Sequence, residues 1–332
     1  MVRASRLVRR LVKLFEKEVD NVVAQRRLHS SKVVERTVPF TPTRVDDCGE
    51  FYIVVGSLGE LAKLDRTGNL IGEVCTPFAS TITHSIPLVD SWIGIWVEPE
   101  IRLARMAGLK IEENWRNGPS SSDLRTSNNP MQLHPENSTW SHALDAEPTC
   151  ITGLGDVFCF VLRGRGVYLM DSEANEVWRS SLPNSNVGRR NGFDTAISIS
   201  NTEDRLSIWY DNGLIVDISL DTGLEIDRRK IKITERIERV FHGNDSHILA
   251  LSQGGFLLSN GEGIVEYYKT PGPLISARKK DGIWELTGWR FDAIIRETSL
   301  DISSRDQLGV GFIDEKILTN DGTLSQFSFN RS

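Results

Sequence analysis

Apolar and polar positions repeat along this chain. Short β-branched and aromatic segments alternate with tight polar turns, a pattern typical of antiparallel strands joined by hairpins. The repeated unit is an apolar segment, a turn, a second segment, a second turn and a third segment. Clear copies begin at Phe51, Gly94, Phe158, Leu206 and His247, and a further copy begins at Gly311. The pattern therefore predicts an all-β chain built from repeated meanders.

The turns within the repeat carry residues that fit tight hairpins. Asn212-Gly213 supplies positive-φ residues in the first turn of one unit. Asp221-Thr222-Gly223 places an Asp side chain where it can bond the backbone of the second turn. Units of this kind at a spacing of roughly 40 to 50 residues are the signature of β-propeller blades. The sequence predicts a β-propeller of seven blades, with six as the alternative.

Two segments decide the predicted blade count and the closure of the ring. The stretch from Ile283, IWELTGWRFDAIIRET, predicts a degenerate blade in a gap that is too long for one unit. Closing a ring of sheets removes unpaired edges, and a strand from the far terminus commonly completes the last blade. The segment Lys32–Phe40, KVVERTVPF, is the predicted donor of that strand.

One repeat carries a family resemblance. In YLMDSEANEVW, Asp171 lies in the turn and Trp178 on the following strand. This segment resembles the docking repeat of quinoprotein-type propellers, and the repeat as a whole is WD40-like, although the Gly-His and Trp-Asp dipeptides of WD40 repeats are missing. Trp115 stands at roughly the equivalent place in the second unit, whereas Gly72 and Asp227 replace the tryptophan in two others. The resemblance implies a propeller and no named family within propellers.

A polar stretch interrupts the repeat at about residues 117–144. It is rich in Ser, Asn and Pro, which favour irregular loops. We expect a long surface loop inserted between two blades. The predicted domains are thus a propeller over residues 31–332 with this insertion, and a separate segment over residues 1–30.

The segment 1–30 predicts a basic amphipathic α-helix, because its apolar residues recur at three- and four-residue spacings. Three interpretations remain open: a helix that packs on the propeller or on a partner, a mitochondrial targeting sequence, or contact with an anionic membrane surface or nucleic acid. The candidate partner-binding residues of this segment are Arg3, Arg6, Arg9, Arg10, Lys13 and Phe15.

Composition narrows the remaining choices. The chain has 332 residues, a net charge of -6 and four cysteines without metal-binding spacing, which predicts free thiols in a reducing compartment. No stretch is apolar enough to predict a transmembrane helix. We expect a cytoplasmic protein, with the mitochondrial matrix as the alternative.

Catalytic signatures are weak, so we predict no catalytic residue, no cofactor and no metal ligand. His134 and His142 lie in the polar stretch at a spacing that could bring them together with Glu136 and Asp145, but a solvated loop is the preferred interpretation. Carboxylates near strand starts could line a channel, and they could equally form turns: Glu50, Asp156, Asp194 and Asp204.

Two hypotheses about function follow. The first is a non-catalytic scaffold for protein–protein interaction, a subunit of a larger complex whose partners are other proteins, with Trp140 and Trp289 as candidate contact residues. The alternative is a propeller enzyme or small-ligand binder with a site at the central channel. The fold alone does not choose between them.

Overall fold

The computed structural model describes residues 36–182, 194–202, 204–260 and 265–329. These residues form seven antiparallel sheets, which are the blades of a β-propeller. The predicted all-β propeller is confirmed, with seven blades and not six. The predicted N-terminal amphipathic helix and its residues from Arg3 to Phe15 lie outside the described residues.

Each blade follows the order of the chain from the inner to the outer strand. Blade 1 contains β1–β4: Pro42–Asp47, Phe51–Gly56, Leu61–Asp65 and Leu70–Cys75. Blade 2 contains β5–β8: Thr81–Pro87, Ser91–Glu98, Leu103–Lys110 and Ser138–Leu144. Blade 3 contains β9–β12: Pro148–Leu154, Val157–Leu162, Gly166–Asp171 and Glu176–Ser180. Blade 4 contains β13–β16: Ala196–Asn201, Arg205–Tyr210, Leu214–Ser219 and Glu225–Lys230.

The remaining blades follow the same scheme. Blade 5 contains β17–β20: Ile237–His242, Ser246–Leu251, Phe256–Asn260 and Val265–Tyr268. Blade 6 contains β21–β24: Leu274–Lys280, Ile283–Gly288, Phe291–Arg296 and Ser299–Ser304. Blade 7 has three strands among the described residues, β25–β27: Gly309–Ile313, Lys316–Thr319 and Leu324–Gln326. The segment at Ile283 therefore supplies the two middle strands of a full four-stranded blade, and the predicted degenerate blade is not degenerate.

Burial changes with the position of a strand in its blade. The second strands are almost wholly buried, as in β10, because both faces of the blade pack there against neighbouring blades. Outer strands such as β16 are largely exposed and carry charged residues, which protect a sheet edge from pairing with other chains. The apolar core thus lies between the blades and not in one central cluster.

The inner strands form a closed ring in chain order, with β25 next to β1. Each of the seven inner strands has a register shift near its start, after which pairing with the second strand becomes regular. One residue is bulged out of the ladder at each shift, which leaves its backbone groups free for other partners. This repeated bulge positions the channel-lining residues described below.

The described part of the predicted closing segment lies against blade 7. The backbone N–H groups of Thr37 and Val38 both donate to the carbonyl of Gly322, at 2.8 and 3.1 Å. Val38 is fully buried in a cluster with Ile313 and Leu318. Residues 36–40 form no strand, and residues 32–35 of the predicted donor lie outside the described residues.

The polar stretch lies within blade 2, between β7 and β8, and not between two blades. Its last residues, Ser138–Leu144, form the outer strand of that blade. The rest contains a helix α1, Ser121–Thr126, with a capping box at Ser120, and a short 3-10 turn, Pro130–Gln132. Another 3-10 turn, Pro99–Ile101, lies between β6 and β7.

The stretch is fixed to the connection that links blades 1 and 2. Gly118 donates to Thr76, and the N–H of Glu136 donates to the carbonyl of Pro77 at 2.9 Å. Leu124 and Trp115 are buried in the core cluster of these blades. Periodically spaced apolar residues are few here, so this ordered packing could not be predicted from the sequence.

Among the described residues, no helix is long and apolar enough to cross a membrane.

Candidate functional site at the central channel

The first regular residue after each bulge faces the same part of the ring. In chain order, these equivalent positions hold Arg44, His84, Cys150, Ser198, Arg239, Ser276 and Gly311. The inner strands surround the channel, so this position brings residues that are far apart in sequence to one level beside the channel. Cys150 is buried in the core between blades 3 and 4, whereas Arg239 is exposed. Two arginines and a histidine occupy this level.

These three basic side chains make the same kind of contact. Arg44 Nη2 donates to the carbonyl of Thr83 at 2.7 Å. Arg239 Nη1 donates to the carbonyl of Ile275 at 3.0 Å. His84 forms a hydrogen bond with the backbone of Thr149. Thr83, Ile275 and Thr149 are the bulged residues of the following blades, so each basic side chain links its inner strand to the next one.

The channel wall is electrostatically positive at this level. Burial is the largest cause that lowers the pKa of Arg239, and the nearby charge of Arg44 lowers this pKa further. The charge of Glu238 raises it. Burial and the charge of Arg44 also lower the pKa of His84 to about 4, so His84 is neutral at pH 7. Within the described residues, neither Arg44 nor Arg239 forms an ion pair; both bond to neutral oxygens.

A second group of polar side chains joins blades 4 and 5. Ser198 Oγ lies 2.8 Å from His242 Nε2, and His242 Nδ1 lies 3.2 Å from His247 Nδ1. The ring of Trp209 packs against His247 with centroids 4.8 Å apart. Burial, followed by the neighbouring His247, lowers the pKa of His242 to about 3. A hydroxyl hydrogen-bonded to a neutral imidazole is the pair that activates a serine nucleophile, and a third group that orients the imidazole completes the arrangement.

Aspartates surround the opposite end of the inner strands. Each of the seven connections from an inner strand to the second strand carries one at or beside the turn: Asp47, Asp90, Asp156, Asp204, Asp245, Asp281 and Asp314. We call this side of the propeller the aspartate face. The opposite side, where the inner strands begin, is the start face. Two of the carboxylates considered from the sequence, Asp156 and Asp204, are members of this ring in the turns, whereas Asp194 precedes β13 on the start face.

The histidines of the polar stretch do not come together as a metal site. His134 Nδ1 lies 3.2 Å from Arg105 Nη1, and the ring of His142 packs on Trp140. Asp145 pairs with Arg165. Over the residues that the structure describes, no group of three or more His, Cys, Asp or Glu side chains could hold a metal ion. All four cysteines are free.

The two tryptophans predicted to contact partners have different surroundings. Trp140, on β8, donates its indole N–H to the carbonyl of Ser172 in blade 3 at 2.8 Å and stacks on Phe158. Trp140 takes the place in blade 2 that the repeat pattern predicted for Trp115, and Trp115 lies between β7 and the polar stretch. Trp289 lies in the turn between β22 and β23 on the start face, and 49% of its surface is exposed.

A cavity of about 410 Å³ lies where blade 1 meets the polar stretch, and Lys63, Gly72, Cys75 and Trp115 line it. Its one buried cation is already engaged: Lys63 Nζ donates to the carbonyls of Ile111 and Glu113 and lies 4.3 Å from the centre of the Trp115 ring. Burial lowers the pKa of this lysine. Because Lys63 is already engaged in these contacts, the channel is the stronger candidate for a functional site.

Arg44 and Arg239 were not predicted from the sequence. The bulge that aligns them is a property of strand pairing, which a single sequence does not display. One signal was available: both arginines directly precede a valine in a six-residue strand, PTRVDD in β1 and IERVFH in β17. A basic residue repeated at one position of two strands indicates a shared environment.

No protein-family model matches the chain, and no curated protein matches it. Solved structures do. BamB from Moraxella catarrhalis is similar with a TM-score of 0.52 at 15% identity, over 86% of this chain and 84% of that one. The Cps50 (Swd1) β-propeller domain of Myceliophteria thermophila is similar with a TM-score of 0.60 at 11% identity, over 87% of this chain and 95% of that one.

Identities this low carry the fold and nothing finer, because propellers with unrelated functions share one architecture. The sheets, their order and these similarities agree. The chain is a seven-bladed β-propeller repeat protein without a specific family.

Proposed function

We propose that this protein is a non-catalytic scaffold that binds another protein through its start face, with Trp289 as the anchor. One observation carries the proposal: a tryptophan is held rigidly in an exposed turn. A Cβ atom added to Gly272 would lie 2.7 Å from Trp289 Cε3, so the indole ring lies directly on that glycine. The N–H of Trp289 donates to the carbonyl of Pro273 at 3.0 Å.

A half-exposed tryptophan in a tight turn contributes little to the core of its own blade. Tryptophan and arginine are the residue types that most often dominate the energy of protein interfaces. Arg290 follows directly, with a φ of 62° and a hydrogen bond from Nε to the carbonyl of Asp306. A fixed ring loses little conformational entropy on binding, which favours affinity.

The test is quantitative affinity purification of the full chain from native extract, in parallel with Trp289→Ala. We expect a stoichiometric partner with the unchanged chain and its loss by at least roughly tenfold with the variant, as for a hot-spot residue. The matched control is Tyr267→Ala, which removes an aromatic ring that is 57% exposed on the outer strand of blade 5. The same partner retained by Trp289→Ala, or lost equally with Tyr267→Ala, would contradict the role of the start face.

A second contact or tether remains proposed for the basic N-terminal segment. Its candidate residues are Arg3, Arg6, Arg9, Arg10, Lys13 and Phe15. Cytoplasm is the proposed compartment, with the mitochondrial matrix as the alternative. Fusing residues 1–35 to a fluorescent protein tests both points, since a diffuse cytosolic signal removes the targeting and membrane interpretations. Trp140 is no longer part of the proposal, because its ring and its N–H are engaged between blades 2 and 3.

A second candidate function is catalysis at the channel, and the chain of hydrogen bonds from Ser198 through His242 to His247 favours it. The chemistry would be attack by the serine oxygen on the acyl carbon of an ester, with His242 accepting the hydroxyl proton and passing it to the alcohol that leaves as the ester C–O bond breaks. Water would then hydrolyse the acyl-enzyme and release the acid. Hydrolysis of p-nitrophenyl acetate by the full chain tests this candidate. Activity that Ser198→Ala abolishes would replace the scaffold proposal, and activity equal to that of Ser198→Ala would exclude this serine as the nucleophile.

A further inference from the structure

We propose that the central channel binds a phosphate-type oxyanion through the guanidinium groups of Arg44 and Arg239. This inference does not rest on the scaffold role. It begins from the placement of the two side chains at equivalent positions of β1 and β17, directly after the bulges. Blades 1 and 5 are not neighbours in the ring, so the two arginines approach the channel from different directions.

The hydrogen-bonding capacity of these arginines is only partly used. Arg44 donates from Nη2 to the carbonyl of Thr83 and from Nη1 to Ser85 Oγ at 3.1 Å. Arg239 donates from Nη1 to the carbonyl of Ile275. A guanidinium group carries further N–H donors, and within the described residues these bond to nothing. Each arginine is thus held in place by a neutral acceptor and keeps donors for a ligand.

No carboxylate forms an ion pair with either arginine among the described residues. The buried carboxylate of Asp46 accepts hydrogen bonds from Ser85, which itself accepts one from Arg44, and from the indole of Trp92. Glu238 acts on Arg239 electrostatically but makes no ion pair with it among the described residues. His84 adds no charge, since its imidazole is neutral at pH 7.

Arg44 and Arg239 form no ion pair within the described residues, and the charge of Arg44 lowers the pKa of Arg239 in addition to burial, which is the larger cause. An anion that contacts both relieves the repulsion and gains charge-assisted hydrogen bonds. A phosphate group fits better than a single carboxylate, because its tetrahedral oxygens can face donors from two sides while a carboxylate presents one planar edge. The recognised chemistry is therefore the phosphate group, either of the free ion or of a phosphate monoester.

The experiment is isothermal titration calorimetry of the full chain at pH 7.4 and constant ionic strength, with inorganic phosphate in one arm and phenyl phosphate in the other. We expect saturable binding of at least one probe. Arg44→Gln and Arg239→Gln should each weaken it by roughly tenfold or more, which is the loss expected for a charge-assisted hydrogen bond. Binding of inorganic phosphate alone identifies the free ion as the ligand, and preference for phenyl phosphate identifies an organic phosphate.

Arg163→Gln is the matched control. This arginine lies on the start face of blade 3, is exposed and pairs with Glu147. No saturable binding of either probe would overturn the proposal, as would equal affinity in Arg239→Gln or an equal loss in Arg163→Gln. Circular dichroism verifies folding. If Arg44→Gln does not fold, Arg239→Gln decides alone, because Arg239 is exposed to the channel and donates one hydrogen bond within the described residues.

Discussion

Two junctions between neighbouring blades are built in opposite ways. At the junction of blades 3 and 4, Trp178 on the outer strand β12 packs on Gly223 in the next blade and donates its indole N–H to the carbonyl of Leu220 at 2.7 Å. At the junction of blades 6 and 7, a carboxylate and a guanidinium form a buried ion pair. Asp292 is 0% exposed and Arg305 has a side chain that is 7% exposed.

The ion pair is thoroughly hydrogen-bonded. Arg305 donates from Nε and Nη2 to the two carboxylate oxygens of Asp292, at 2.9 and 2.8 Å. Thr287 and Ser328 also donate to that carboxylate. Arg305 donates onward to Ser325 on β27 at 2.8 Å. The pair therefore connects β23 of blade 6 with the last strand and the residues that follow it.

The contrast shows that one repeat can be joined to the next by apolar packing or by charge. A tryptophan on glycine tolerates partial solvent exposure, since most of its energy comes from the area that it buries. A buried ion pair depends on both partners, because either one alone leaves an uncompensated charge away from water. We expect the two junctions to respond differently to the loss of one side chain.

The largest effect should come from breaking the ion pair. Asp292→Ala leaves Arg305 buried without a counter-ion and should lower the free energy of unfolding by about 3–5 kcal/mol. Urea denaturation at pH 7 measures it. The double variant Asp292→Leu with Arg305→Met should lose less than Asp292→Ala, because it removes both charges and keeps the volume. A loss below about 1 kcal/mol for Asp292→Ala would show that charge does not hold this junction.

The next effect comes from the tryptophan junction. Trp178→Ala should lower the free energy of unfolding by about 2–3 kcal/mol, below the usual cost of a fully buried tryptophan because this ring is half-exposed. Trp178→Phe should lose about 1 kcal/mol, the contribution of the indole hydrogen bond to Leu220. The same urea titration measures both. Equal losses for the two variants would mean that the hydrogen bond, and not the packing, joins the blades.

Glycine substitutions test the packing of Trp178 at the junction of blades 3 and 4. Gly223 and Gly155 have φ values of 68° and 67°, so alanine costs about 1–2 kcal/mol at either position for the left-handed backbone. A Cβ at Gly223 would lie 2.6 Å from Trp178 Cε3, whereas nothing lies within 4 Å at Gly155. We expect Gly223→Ala to cost about 1 kcal/mol more than Gly155→Ala, from overpacking. Identical melting temperatures would show that the ring moves aside freely.

The smallest expected effect is on the pH dependence of stability, and it comes from His84 beside the channel, outside both junctions. The pKa of His84 is about 4 in the folded protein, below its unfolded value, so the unfolded state binds more protons between these values. The contribution of His84 to stability is therefore fully present above about pH 6.5 and is lost as the pH falls toward 4. After allowance for partial exposure, His84→Gln should remove about 1 kcal/mol of this pH dependence. Urea midpoints at several pH values measure it, and Trp178→Phe should keep the original slope.

The sequence predicted the parts of the fold that depend on local pattern. Apolar segments and turn residues such as Asp221-Thr222-Gly223 indicated strands, hairpins and a propeller, and the motif ending in Trp178 indicated one junction. The ion pair of Asp292 and Arg305 could not be predicted, because Asp292 lies on β23, Arg305 lies in the connection after β24, and neither belongs to the repeated motif. The position of Trp140 was missed because the polar stretch shifts it far from the turn that marks the unit.

The candidate site depends on information that one sequence does not carry. Arg44 and Arg239 come to one level of the channel through bulges, and pairing register decides where a bulge falls. Ser198 and His242 meet across two blades. Trp289 lies in the turn between β22 and β23, and Gly272 lies in the connection before β21. The repeated motif does not predict their contact. Long-range pairing, and not residue type, separates what could be predicted from what could not.

The contact of Thr37 and Val38 with Gly322 has a consequence for the time course of folding. Val38 is synthesised before the blades, yet its burial needs Ile313 and Leu318, which are made only after the other six blades. The segment with Val38 must wait for those blades, and contacts of such long sequence separation form slowly. Completion of blade 7 should thus be the last step, and a chain stalled before that blade would expose the apolar side chain of Val38 to aggregation.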